Sequence, residues 1–210
     1  MEQSYEIVWH GRGGQGAVTA AKIFTEAAYY QGFKGVSAKP TYFSERRGAP
    51  VSVHTRIATD PIRTFANVLC PDVAVVLDDN LLDMVNVTDN LKPGGLLVVN
   101  SARSPEELGL DCRARGNGVA NGCFVLALSD AYRSSEAAGL IVEGNVLVST
   151  SILGPFIAAS NLVDMENVRK AVQKNFHGRA LERNLRALEL AYSSTRILQP
   201  DECVACGGSK

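Results

Sequence analysis

The stretch that most restricts the fold lies near the start, where Tyr5-Glu6-Ile7-Val8-Trp9-His10 runs into Gly11-Arg12-Gly13-Gly14-Gln15-Gly16. A β-branched and aromatic run stopped by glycine predicts a strand. Behind the glycines, Ala17, Ala20, Ala21, Ala27 and Ala28 put small side chains on a segment that predicts a helix, with Gly32 as its stop. Small residues let a helix lie close on a sheet. Strand, glycine turn and helix together open an α/β unit.

The rest of the chain fits that opening. Val36-Ser37-Ala38 and the alternating Val51-Ser52-Val53-His54-Thr55-Arg56-Ile57 predict two strands, and no helix fits in the loop from Tyr42 to Pro50 between them. They are therefore expected to pair antiparallel within an otherwise parallel sheet. Val73–Leu77 and Leu96–Val99 are unbroken apolar runs, typical of strands covered on both faces. A short helical stretch ending near Leu91 and a Lys92-Pro93-Gly94-Gly95 turn separate them, and Cys112–Leu128 is expected to hold one more strand and the start of a helix. From Asn145 on, the pattern predicts helices. One runs from Val146 to about Ser160, broken or kinked at Gly154-Pro155, and one from an Asp164 cap to about Asn175. A last one runs from Gly178 to about Ile197, with Leu181, Leu185, Leu188 and Tyr192 on one face. The expected architecture is three-layer α/β/α, with a mostly parallel mixed sheet and a C-terminal helical segment. It forms one domain over residues 1–198, followed by a tail over 199–210.

Charge and cysteine usage narrow the function classes. With 21 Lys+Arg against 22 Asp+Glu the net charge is −1, without the basic excess that nucleic acid or an anionic membrane surface calls for. Five cysteines, an odd number, do not form a secreted disulfide framework. No signal peptide and no membrane span is recognisable, so a soluble cytoplasmic protein is expected.

Gly11, Gly13 and Gly16 satisfy G-x-G-x-x-G between a strand and a helix, where backbone N–H groups can form an anion site. A dinucleotide reading also needs a carboxylate about 20 residues on, for the ribose. The corresponding stretch, Gly35-Val36-Ser37-Ala38-Lys39-Pro40, has none. A stand-alone NAD(P)-binding oxidoreductase is thus a competing reading rather than the leading one. A second competitor is a non-catalytic interaction module whose glycines serve only turn and packing.

The loop Gly11-Arg12-Gly13-Gly14-Gln15-Gly16-Ala17-Val18-Thr19-Ala20 resembles the start of the gamma subunit of the 2-oxoacid:acceptor oxidoreductases, the pyruvate:ferredoxin type. The likeness continues through Glu45-Arg46-Arg47-Gly48-Ala49-Pro50-Val51, Pro71-Asp72-Val73, Leu91-Lys92-Pro93-Gly94-Gly95, Asn145, Leu153-Gly154 and Glu182-Arg183-Asn184. The resemblance implies a subunit of a complex that oxidatively decarboxylates a 2-oxoacid, with coenzyme A as acyl acceptor and ferredoxin or a similar carrier taking the electrons. Thiamine diphosphate, magnesium and iron–sulfur clusters are then expected in alpha, beta and delta partners, and no cofactor is expected to be firmly bound by this chain. No thiamine diphosphate signature and no ferredoxin cysteine run is visible in it.

Gly11, Arg12, Gly13, Gly14, Gln15 and Gly16, together with Arg46 and Arg47, are the residues expected to touch a cofactor or partner. A guanidinium fork grips carboxylate or phosphate in bidentate fashion, and Tyr42 and Phe43 add interface-type aromatics to that loop. No catalytic residue is identified. His10, Asp78-Asp79-Asn80 and Asn100-Ser101 lie at strand ends, with His10 expected to be structural and the aspartates to cap the next helix. Cys203 and Cys206 form a C-x-x-C in the tail, half of a metal site, and Cys70, Cys112 and Cys123 show no ligand spacing.

Overall fold

The structure, a computed structural model, describes residues 3–42, 48–64, 66–110 and 124–199. Arg46, Arg47, Cys112, Cys123, Cys203 and Cys206 lie outside them. Strand β1 (Ser4–Arg12) leads through the glycine loop into α1 (Ala17–Gln31), followed by β2 (Gly35–Tyr42), β3 (Pro50–Ala58) and β4 (Val73–Val76). A 3₁₀ helix (Asp79–Asp83) precedes β5 (Leu96–Asn100), β6 (Val125–Ser129) and α2 (Ala131–Ala137). A small hairpin, β7 (Ile141–Val142) and β8 (Asn145–Val146), precedes α3 (Leu153–Ser160), α4 (Met165–Asn175), α5 (Gly178–Ser193) and β9 (Arg196–Leu198).

The main sheet has seven strands in the order β2-β3-β1-β4-β5-β6-β9. β1, β4, β5 and β6 are mutually parallel, and β2 runs with them because it is antiparallel to β3, itself antiparallel to β1. The antiparallel β2–β3 pair is as expected. A second reversed strand, β9, adds to the edge of β6.

Period-two alternation divides the core. Val73, Val75, Leu96, Val98 and Ala127 face a cluster with α1, α3, α4 and α5, whereas Ala74, Val76, Leu97, Val99, Leu126 and Leu128 face the other way. On that second face the cover is thinner, made by Leu81, Val87, Leu91, Leu108 and Leu110 from the 3₁₀ helix and turns. The helical face centres on three aromatics. Trp9 stacks on Phe156 at 5.3 Å between centroids, and Phe24 meets Phe156 edge-on at 4.6 Å. The Trp9 indole N–H is fully buried and donates to Thr55 Oγ1 at 3.0 Å, so β3 satisfies the one polar atom of this cluster.

Three sequence expectations need correction. The helix expected from Val146 begins only at Leu153, because Pro155 has no N–H to donate and is tolerated only in a first turn. Ahead of it, Thr150 and Ser151 bind side chains elsewhere: Thr150 Oγ1 to Asn184 Oδ1, and Ser151 to Ser135 at 2.7 Å. The last helix ends at Ser193 rather than Ile197, since Arg196–Leu198 gains ladder bonds on β6. Its buried face is Asn184, Ala187, Leu188 and Ala191, with Tyr192 outside at 42% exposure.

α3 crosses α5 at Gly154. A Cβ there would come 2.5 Å from the Tyr192 nitrogen and 2.8 Å from the Leu188 carbonyl oxygen, both backbone atoms that cannot swing aside. Overpacking of this kind costs about 1–3 kcal/mol. Gly154→Ala is therefore expected to lower the urea midpoint of unfolding by that amount of stability, whereas Lys22→Ala, at an exposed position of α1, leaves the midpoint unchanged.

Candidate functional site

The glycine loop sits where β1 and β4 end side by side. The glycines of the loop serve different ends. A Cβ on Gly11 would lie 3.1 Å from the Ala17 Cβ, so this glycine lets the helix start close to the strand. Gly14 and Gly16 have φ of 94° and 98°, in the region that favours glycine. At Gly16 a Cβ would also strike the Ser149 Cβ at 2.6 Å. Gly13 extends the β1–β3 ladder, its N–H donating to the Ala49 carbonyl at 2.9 Å and its own carbonyl accepting from Gly48 N–H at 3.1 Å.

A carboxylate from the neighbouring strand end holds the loop. Asp78 Oδ2 accepts from Arg12 Nε at 2.8 Å and from Gln15 Nε2 at 3.0 Å. Its Oδ1 accepts from the backbone N–H and the side-chain amide of Asn80, which makes Asp78 the cap expected for the following 3₁₀ helix. Gln15 Oε1 reaches back to the Arg12 N–H at 2.8 Å, closing the turn. Burial by itself would raise the Asp78 carboxyl pKa, but the bonds from Asn80, Gln15 and Arg12 outweigh it and hold the group ionised to lower pH than usual.

This wiring bears on the dinucleotide reading. The N–H groups of Arg12, Gly13 and Gln15 already donate, to Gln15 Oε1, Ala49 and the Arg12 carbonyl respectively. A fixed carboxylate lies at the crevice between β1 and β4, where such folds place a pyrophosphate. The donors facing outward are instead those at the start of α1. They open into a cleft of about 500 Å³, bounded opposite by Gly139–Val142, Phe176 and the α5 residues Ala180, Arg183 and Asn184. The structure thus brings Arg12, Gly13, Gly14 and Gly16 to one cleft, while Gln15 works inside the loop. Ser149, Arg183 and Asn184 join it from distant parts of the chain. In sequence, only the Glu182-Arg183-Asn184 triplet drew attention to any of them.

His10 is structural in its setting. It lies at the end of β1, its Nδ1 sharing a hydrogen bond with Ser52 at 3.4 Å. Burial, with the nearby His54 adding to it, lowers its pKa from 6.5 to about 4. His54 is also lowered, first by burial and then by Arg56 and Lys39, while its Nδ1 accepts from Val68 N–H at 3.2 Å. Cys70 is a free, exposed thiol. Among the described residues no three His, Cys, Asp or Glu side chains gather into a group able to hold a metal ion, and no helix is long and apolar enough to cross a membrane.

Two outcomes follow from this wiring. Asp78→Ala leaves Arg12 and Gln15 without their acceptor, and the expected loss is about 2 kcal/mol in denaturant unfolding, as for a partly buried ion pair broken from one side. The histidine effect has a defined sign. An unfolded His10 takes up a proton near pH 6.5, whereas the folded one resists it until about pH 4, so stability is lost as pH falls through that window. His54 adds to the same slope, so His10→Gln should flatten only part of the fall in Tm between those limits.

Comparison with known proteins agrees with this architecture. The family model described as pyruvate ferredoxin/flavodoxin oxidoreductase matches residues 6–194. The pyruvate/ketoisovalerate oxidoreductases common subunit gamma of Thermococcus kodakarensis is 43% identical over 194 residues, covering 92% of this chain and 98% of that one. The pyruvate synthase subunit PorC of Methanocaldococcus jannaschii is 36% identical over 192 residues, 90% of this chain and 95% of the other. Among solved structures, the pyruvate oxidoreductase subunit PORC of Thermotoga maritima superposes with a TM-score of 0.76 at 29% identity, covering 94% of this chain and 99% of that one. The chain belongs to the pyruvate ferredoxin/flavodoxin oxidoreductase family and is of its gamma-subunit type.

Proposed function

We propose that the chain is the gamma subunit of a multi-subunit 2-oxoacid:acceptor oxidoreductase and is inactive alone. In the reaction a 2-oxoacid loses CO₂ and two electrons, its acyl group passes to coenzyme A, and the electrons go one at a time to ferredoxin or a similar carrier. Thiamine diphosphate with magnesium supplies the carbanion chemistry and iron–sulfur clusters the electron path, both on alpha-, beta- and delta-type partners. The observation that carries the reading is the extent of the match, which spans 98% of the gamma chain from Thermococcus kodakarensis.

On this reading the chain contributes shape and contacts. The loop from Gly11 to Gly16 meets a ligand or partner at the carboxyl edge of the sheet. Arg46 and Arg47 act with it, because their chain neighbour Gly48 is bonded to Gly13 and also accepts from Arg12 Nη1 at 3.3 Å. Two arginines beside that anchor suit an acidic surface or a phosphate.

Gentle affinity purification with mass spectrometry tests the assignment. Co-purification of chains bearing thiamine diphosphate and ferredoxin-type motifs is expected, whereas saturable micromolar binding of NAD(P)H to the purified chain alone would favour the stand-alone oxidoreductase. Arg46→Ala/Arg47→Ala should weaken assembly, or raise the KM of the complex, by roughly tenfold, a loss of ~1.4 kcal/mol. An unchanged complex with unchanged kinetics would remove these arginines from the contact.

A further inference from the structure

We infer that the cleft at the carboxyl ends of β5 and β6, walled by Arg103, Arg133 and Arg196, docks an acidic segment of a partner subunit. The inference rests on the reading of the chain as one subunit of a complex and adds to it the face through which one contact is made.

Segments far apart in sequence meet at this cleft. Arg103 follows β5, Asp130 follows β6, Arg133 lies in α2, Leu190 in the last turn of α5, and Arg196 opens β9. The space between them is about 440 Å³. The serine hydroxyls of its lining are used within the protein. Ser129 and Ser194 both reach the Ala191 carbonyl, at 3.1 and 3.3 Å, Ser134 donates to the Asp130 carbonyl at 3.0 Å, and Ser101 donates to Asp79. The polar groups left to meet something from outside are the guanidinium groups.

The local charge is positive in a chain whose net charge is −1. Asp130 is the one carboxylate among the described residues lining the cleft, and its Oδ1 accepts from the Arg133 backbone N–H at 2.8 Å as the cap of α2. Arg103 is held in place by Asp79, Nε to Oδ2 at 3.0 Å, a bond that leaves both Nη groups for a second acceptor. Arg133 and Arg196 form no ion pair among the described residues. Glu106 is close enough to Arg196 to feel its charge, and Asp79 and Glu106 both stand outside the lining.

An exposed guanidinium gains little from one small anion, because water screens the pair. A partner surface that covers the cleft excludes that water and meets several guanidinium groups at once, which fixes register as well as adding attraction. A segment carrying several Asp or Glu side chains can meet arginines that stand separately on α2, on β9 and after β5. The composition is that of a protein contact, in which arginine and aromatic residues are enriched and lysine is depleted. No lysine is among the described residues lining the cleft, Leu190 lines it at 38% exposure, and Tyr132, next to Arg133, is 51% exposed.

Assembly of the full chain with the partner subunits that co-purify with it tests this. Arg133→Glu/Arg196→Glu is expected to weaken assembly by about tenfold or more, Arg133→Lys/Arg196→Lys by less, and Lys22→Glu, at an exposed position of α1, not at all. Raising the salt concentration should weaken the wild-type complex more than that of the Glu variant. Tyr132→p-benzoylphenylalanine, irradiated in the assembled complex, is expected to cross-link to a partner peptide rich in Asp and Glu. Unchanged assembly and salt dependence in the Glu variant overturns the inference while the partners still co-purify. So does the lack of any cross-link, or one made only to a second copy of the chain or to a peptide without carboxylates. A wild-type chain that captures no such partner overturns the subunit reading itself, and the docking face with it.

Discussion

Much of the arrangement around the cleft depends on the carboxylate of Asp78. It stands just past β4, accepts from Arg12 and Gln15 of the glycine loop, and caps the 3₁₀ helix through Asn80. Two segments that leave the sheet at adjacent strand ends, the loop after β1 and the 3₁₀ helix after β4, are thereby joined through a single group. The ionised form is favoured despite burial because each oxygen accepts two bonds, and four donors outweigh the loss of water. With the loop held at that end, the direction of α1 and the place of its open N-terminus are set.

A glycine motif is often read as a phosphate cradle, yet here much of it serves packing. Gly11 admits the Ala17 methyl, Gly13 prolongs a β ladder, and the donors of Arg12, Gly13 and Gln15 are used within the protein. The same residue pattern can build a site over the crevice between β1 and β4, or close that crevice and move the exposed donors to the next turn. The deciding element is Asp78, sixty-odd residues away in sequence, which brings negative charge to where a pyrophosphate would need positive.

What was legible in the sequence followed from local physics. Val73–Val76 and Leu96–Asn100 are strands because they are apolar on both faces, and α1 ends at Gly32 because its C-cap is left-handed. The antiparallel β2–β3 pair could be read from the lack of any helix between two extended segments. The misreadings share one cause, tertiary contacts that outbid helix periodicity. Residues 146–152 look helical, but their hydroxyls bond Asn184 and Ser135, and Ile197 looks like a helix end but completes a ladder on β6. That Ser149 and Arg183 line one cleft was beyond reach for the same reason. Nothing local to either residue says that α5 and the segment before α3 meet at the start of α1.

The open end of α1 is itself a consequence of packing. Gly16 must be glycine twice over, because its φ is 98° and because a Cβ would strike Ser149. A serine, threonine or aspartate in that place would have supplied the side-chain oxygen that ordinarily satisfies the first-turn N–H groups. The close approach that excludes such a cap also sets Ser149 against Gly16, its Oγ 3.3 Å from where that Cβ would be, and Ser149 lines the cleft. Steric pressure at one residue thus strips the helix of its internal acceptor and adds a further polar group to the opening. Such an arrangement is costly to leave unfilled in a closed interior and inexpensive at a cleft that water or a ligand can enter. That asymmetry is why the carboxyl edge of this sheet, rather than its better-packed faces, is where the chain's chemistry should be sought.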